Sequence, residues 1–317
     1  MIDQIPARYP VICGPTAGGK TALALAVAEQ LSSRGLGSEI VSADAYLVYQ
    51  GLDIGTAKPT AEELAKIPHH LVDIVLPTEG FTLAQWLGLA ERAIAEIKQR
   101  GRVPIVVGGT HLFIKALIDG LFEGPEPDPE LRARLQALPT DELRRRLEAV
   151  DPDAAARIHP ADTRRSIRAL EVYEQTGQTI TSLQTQWDRQ HPRDTNAQLV
   201  VLSWETATIN SRINARVKQM RQMGLTQEVR SLHEADRLGP TAGQALGYKQ
   251  LVDHFQGRCS EDDAYERIKI ETRRFAKNQR TWLRRLQTTP GTLTLCPEEL
   301  DPATMAQSVV QKILTDQ

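Results

Sequence analysis

The stretch VICGPTAGGKT, Val11–Thr21, decides the fold. Gly14, Gly19, Lys20 and Thr21 fit the pattern G-x-x-x-x-G-K-[ST], with Pro15, Thr16, Ala17 and Gly18 at its variable positions. The apolar, partly β-branched run Tyr9–Cys13 before it reads as a buried strand. The Ala/Leu-rich run Thr21–Leu31 after it reads as a helix. Strand, glycine loop and helix in that order are the context of a phosphate-binding loop. Glycines let successive N–H groups face one point, and a helix N-terminus adds positive potential. Lys20 brings an ammonium to the phosphates, and Thr21 offers a hydroxyl to Mg²⁺. A polyphosphate or pyrophosphate group is expected across Gly14–Thr21. The loop leaves open whether phosphate is transferred, hydrolysed or expelled.

Outward from this loop, 317 residues suffice for one large domain or two ordinary ones. A hydrophobic share of 41% and a charged share of 25% are those of a globular chain, against a disordered or fibrous class. The net charge of −2 requires any nucleic-acid footprint to be a local patch. Cys13, Cys259 and Cys296 are widely spaced and form neither a metal pattern nor a disulfide framework, which fits a reducing cytoplasm. No run is long and apolar enough to cross a membrane, so no membrane association is expected. A monomer is the default expectation, since no self-complementary apolar stripe stands out.

Glu39–Ala43 reads as a second strand, with Asp44 at its carboxyl end, where open α/β sheets bind ligands. Gly51–Pro59 reads as an ordered loop. Phe81–Arg100 is an amphipathic helix with Trp86 on its apolar stripe, hence in the core. Val103–Val107 is the next buried strand. It runs into Gly108, Gly109 and Thr110, where a nucleotide hydrolase would carry an acidic residue for Mg²⁺. Thr110 is either a helix cap for His111–Asp119, a hydroxyl near the phosphate loop, or both. The Pro/Gly/acid-rich run Gly120–Pro129 is a linker. Helices are expected over Glu130–Leu138, Thr140–Val150, Pro152–Ile158 and Ala161–Thr176. The resulting division is an α/β core of residues 1–122, a helical insertion of 123–196, and the resumed core of 197–317. Gln198–Leu202 returns to a buried-strand pattern. Ile209–Met223 is a helix with Arg212 and Arg216 on one face. A long basic helix over Asp262–Leu286 interleaves Tyr265, Phe275 and Trp282 with its cations. Nucleic-acid contact and a merely amphipathic helix account for it equally.

Taken together, these motifs resemble the tRNA dimethylallyltransferase (tRNA isopentenyltransferase) family. The resemblance rests on GPTAGGKT at 14–21, DIGTAKP at 53–59, PHHLVDI at 68–74, VVGGTHLFIKAL at 106–117 and DPDAAARIHPADTRRSIRALEVY at 151–173. It continues in RINARVKQM at 212–220, ALGYKQ at 245–250 and TRRFAKNQRTWLRR at 272–285. It implies an α/β fold, a P-loop kinase-like parallel-sheet core with an inserted all-helical subdomain. It also implies transfer of a dimethylallyl group from dimethylallyl diphosphate to N6 of adenine-37, just 3′ of the tRNA anticodon, with Mg²⁺ assisting and pyrophosphate leaving.

Under the resemblance, Gly14–Thr21 holds the diphosphate as a leaving group, with Thr21 on the metal and Arg212 and Arg216 as clamps. Thr110 hydrogen-bonds the bridging oxygen, and Asp44 takes the proton from the adenine amine. The anticodon stem-loop, with its target base flipped out, would meet Asp44, Ala45, Tyr46 and Leu47. Further contacts would come from Arg132, Arg164, Arg165, Ser166, Ile167 and Arg168, then Gln244, Gly247, Tyr248 and Lys249, then Lys277, Arg280 and Arg284. The chain departs from the family at Ala45 and Leu47, where Ser and Gln are common. It departs again at Asn278, where Arg or Lys is common, and at Trp204-Glu205, where Pro-Arg is common. These departures predict ordinary donor binding with an altered tRNA preference. The rival readings are a small-molecule or nucleoside-phosphate kinase with ATP in the same loop, and an RNA-binding protein with a decayed site.

Overall fold

β1, Tyr9–Cys13, is buried at every position and forms the middle of a parallel sheet. The computed structural model describes residues 6–121, 124–184 and 196–315. The other strands are β2 (Ser38–Ser42), β3 (His69–His70), β4 (Val103–Gly108), β5 (Ala197–Leu202) and β6 (Leu293–Leu295), in the spatial order β3-β2-β4-β1-β5-β6. Every named pairing is parallel. This is the expected P-loop kinase-like α/β core. The apolar, β-branched runs of β1 and β4, buried at nearly every position, suit a sheet covered on both faces.

Register fixes where the chemistry emerges. Cys13 lies opposite both Gly108 and Val201, and Ser42 lies opposite Val107. The phosphate loop, Asp44 and the Gly-Gly-Thr turn therefore leave neighbouring strands at one end of the sheet. Gly108 is required there, because a Cβ would sit 2.1 Å from the carbonyl oxygen of Ala43. Trp86 is fully buried as expected, stacked on Phe113 at 4.4 Å with its indole N–H donating to the Ser42 carbonyl.

The chain divides into two compact units, residues 1–117 with 194–317, and 118–193. The expected boundary at 122/123 falls on residues outside the described ones. The second unit holds five helices, Pro129–Gln136, Thr140–Val150, Pro152–Arg157, Thr163–Thr176 and Ile180–Leu183, among its described residues. They close around Leu131, Leu135, Leu143, Leu147, Leu170 and Val172.

Besides the short helix Ile180–Leu183, three elements went unread in the sequence. The helix Ala61–Lys66 carries a complete capping box from Thr60 and Glu63, a signal present in the sequence. The helix Leu225–Glu234 buries Leu225, Val229 and Leu232 at helical spacing. β3 is two histidines long, too short to show any period.

Candidate active site

The phosphate loop is shaped by its backbone. Ala17 (φ 59°) and Gly19 (φ 83°) are both left-handed, which turns successive N–H groups inward. The helix Lys20–Ser32 begins behind Gly19 with no side chain capping its first turn. Its leading N–H groups thus remain for an anion. The Lys20 ammonium donates to the Pro15 carbonyl at 2.8 Å. Burial lowers its pKa to about 8, with the Asp44 carboxylate opposing the shift and Arg216 adding to it. Arg216 is also lowered, first by burial, and among the described residues it has no hydrogen bond or ion pair. Two cations crowded together without a carboxylate bonded to either form a receptor for a polyanion.

A cavity of about 630 Å³ opens beside the loop. Its polar wall includes Thr16, Asp44, Thr110 and Arg216, and its apolar wall includes Ile213, Val217, Met220, Leu225, Ile268 and Phe275. One Asp44 oxygen accepts the Tyr46 N–H at 2.9 Å, and the other has no protein partner among the described residues. The Thr110 hydroxyl accepts the Ala45 N–H at 3.1 Å, so its own proton is free to be donated. Among the described residues no three His, Cys, Asp or Glu side chains cluster as a metal site. Thr21 is exposed in the first turn of its helix. One hydroxyl without a carboxylate cage suits Mg²⁺, which keeps several waters and takes most other ligands from substrate phosphates.

The remaining expected residues separate by environment. Arg212 braces the outer side of the phosphate loop, its Nε donating to the Ala17 carbonyl at 2.9 Å and its guanidinium 4.7 Å over the Trp204 ring. Gln244 and Gly247 line the cavity with Ala45 and Tyr46, while Leu47 is half-buried beside them in sequence. Tyr248 is buried, its hydroxyl donating to Glu228 at 2.5 Å. Its ring lies against Gly55, where a Cβ would meet it at 2.4 Å. Lys249, Lys277 and Arg284 are exposed, and Arg280 reaches the Thr206 hydroxyl at 2.6 Å. In the helical unit, Arg164 and Arg165 are exposed, whereas Ser166 and Ile167 are buried. Arg132 and Arg168 meet at the buried Glu171, at 2.7 and 2.9 Å.

The basic helix, Glu261–Gln287, is amphipathic, with Ala264, Tyr265, Ile268, Ala276 and Leu283 on its buried face. Tyr265 is core. Phe275 is 41% exposed at the cavity, and Trp282 faces His111 at 5.6 Å between ring centres.

Sequence reasoning missed Glu228 and Gln279, and read Trp204 only as a departure bearing on tRNA preference, whereas it packs on the phosphate loop. The Trp204 indole donates to the Gly18 carbonyl at 3.1 Å. Glu228 accepts N–H groups of Asp53, Ile54 and Gly55, holding the GLDIGTAKP loop. Gln279 bonds to main-chain groups of two site loops. Each acts on backbone far away in the chain, and no short motif announces that.

The IPP transferase family profile matches residues 47–286. The tRNA dimethylallyltransferase of Geobacillus thermodenitrificans is 45% identical over 282 residues, 87% of each chain. That of Anaeromyxobacter dehalogenans is 44% identical over 312 residues, 96% of this chain and 100% of its own. Among solved structures, the full-length tRNA isopentenylpyrophosphate transferase of Bacillus halodurans is similar with a TM-score of 0.71 at 34% identity, over 97% of each chain. A eukaryotic dimethylallyltransferase described as acting on tRNA gives 0.82 at 26% identity, over 96% of this chain and 77% of its own. Identity at this level over nearly the whole length means that the chain belongs to the tRNA dimethylallyltransferase family.

Proposed function

We propose that this protein transfers the dimethylallyl group of dimethylallyl diphosphate to N6 of adenine-37 in tRNA and releases pyrophosphate. The observation that carries the reading is one cavity beside the phosphate loop in which Arg216, without an ion-pair partner among the described residues, a hydroxyl donor and a free carboxylate oxygen meet an apolar wall. The phosphate loop, Lys20 and Arg216 hold the diphosphate, with Arg212 bracing the loop from outside. The apolar wall takes the five-carbon group. As the bond from allylic carbon to bridging oxygen breaks, negative charge gathers on the diphosphate, where Lys20 and the Thr110 hydroxyl stabilise it. Thr21 would hold Mg²⁺, which would supply further charge neutralisation. The adenine amine is a weak nucleophile, its lone pair shared with the ring. It forms the new bond to carbon while Asp44 accepts its proton.

The acceptor must be an unstacked base, since a stacked adenine cannot enter the cavity. Exposed Arg164, Arg165, Lys249, Lys277 and Arg284 supply cations for the RNA backbone. Ala45, Leu47 and Asn278 lie on the acceptor side and alter which anticodon loops bind best. The protein works as a monomer in the cytoplasm, in keeping with three unpaired cysteines and no described helix able to cross a membrane.

The test incubates the protein and Mg²⁺ with labelled dimethylallyl diphosphate and an anticodon stem-loop bearing adenine-37, against the same RNA with guanine there. Label on the adenine RNA alone, recovered as the N6-modified nucleoside, is expected. No label on either RNA would overturn the reading, and phosphoryl transfer from labelled ATP would replace it with a kinase.

A further inference from the structure

Gln279 lies on the buried face of the basic helix between Ala276 and Leu283, and is 4% exposed. An apolar residue would suffice to fasten this face to the sheet. A buried amide costs free energy unless both its ends are bonded. Here both are bonded, to main-chain groups of two different loops. The Gln279 oxygen accepts the Thr16 N–H of the phosphate loop at 2.9 Å. Its nitrogen donates to the carbonyl of Gly109, next to Thr110, at 2.8 Å. The Lys20 ammonium is close by, since a Cβ on Gly109 would meet Gln279 Nε2 at 2.5 Å and Lys20 Nζ at 3.4 Å.

We infer that Gln279 is a positioning residue for departure of the diphosphate. It ties the phosphate loop to the Gly-Gly-Thr turn, so that anion-binding N–H groups and the Thr110 hydroxyl keep one spacing. The inference rests on the function proposed above. The two loops grip different atoms of one leaving group, and catalysis needs both grips at once. A drift of a fraction of an ångström between them leaves each loop intact and misaligns the pair. Gln279 faces inward although Lys277, Arg280 and Arg284 flank it. Its loss should therefore reach the chemical step and spare RNA binding.

The test uses the full-length protein and single-turnover transfer at saturating donor and stem-loop. Gln279→Met keeps the length of the side chain and removes the amide. Its rate is expected to fall about 100-fold, while half-saturation by the stem-loop stays within about twofold of wild type. Gln279→Glu keeps the acceptor for Thr16 and places a carboxylate against the Gly109 carbonyl. It is expected to bind inorganic pyrophosphate about tenfold more weakly than wild type, a readout that needs no transfer. Should Gln279→Met fail to fold, as seen in its thermal melt, Gln279→Asn carries the rate test, since its shorter stem cannot span both loops. A wild-type rate in the folded variant, a defect confined to stem-loop half-saturation, or unchanged pyrophosphate affinity in Gln279→Glu would each overturn the inference. Absence of transfer by the wild-type protein would count against the proposed function, and the pyrophosphate arm would still decide the role of Gln279.

Discussion

At the start of β2, Glu39 is buried beneath Arg100, Arg102 and His70, each within 3.2 Å of its carboxylate. Just past the other end of the same strand, Asp44 shares a field with Lys20 and Arg216 and is bonded to neither. The first carboxylate is closed by its partners. Burial pushes its pKa up, but hydrogen bonds from Arg100 and His70 outweigh that and hold it below the usual range. The second is left open. Charge satisfied by its partners fixes a fold, whereas charge held without a partner awaits one. The proposed chemistry therefore belongs to the carboxyl end of the sheet.

Removing charges at the two ends should give opposite results. Lys20→Met is expected to slow transfer about 1,000-fold and to leave the melting temperature at or above wild type, since it removes a buried, unpaired ammonium. A matched loss of stability would place Lys20 with the closed network instead. Thr110→Val retains shape and removes the donor to the leaving group. A rate about 100-fold lower, with donor affinity little changed, is expected in single-turnover kinetics.

Glu39→Gln should leave the rate untouched and cost about 2 kcal/mol in urea unfolding. In the wild type the same carboxylate is more acidic folded than unfolded. Its contribution is present above the unfolded pKa and disappears as pH falls through the folded value. Acid unfolding of Glu39→Gln should accordingly be less steep.

The smallest effect concerns Lys20 and pH. The unfolded lysine titrates at 10.5 and the folded one at about 8. Between these values the unfolded chain holds more protons, so stability of the empty protein rises with pH. Affinity for an uncleavable dimethylallyl diphosphate analogue, which requires the ammonium, should fall about tenfold from about pH 7 to about pH 9. Parallel slopes for stability and affinity would contradict this assignment.

What the sequence disclosed follows the same division. Strand β1, the phosphate loop and the helix after it are contiguous, so their signals are local and legible. Asp44 and Thr110 were legible too, because each ends a buried strand. The basic helix was legible as an element but ambiguous in purpose, and the structure shows Tyr265 turned inward and Phe275 outward. Gln279 and Trp204 were unreadable as site residues. Their partners are backbone atoms of Thr16, Gly109 and Gly18, and main-chain acceptors carry no sequence signature. Arg132 and Arg168 both close over Glu171: Arg168 sits one turn before it on the same helix, a spacing the sequence carries, whereas Arg132 comes from another helix, whose packing no motif encodes.

The most direct test of the open end is single-turnover transfer by Asp44→Asn, with donor-analogue affinity measured on the same preparation. The account predicts a rate loss of about 1,000-fold with donor affinity within about threefold of wild type, since the amide fills the same space and cannot take the proton. An undiminished rate would show that the carboxylate left free at the end of β2 is not the base.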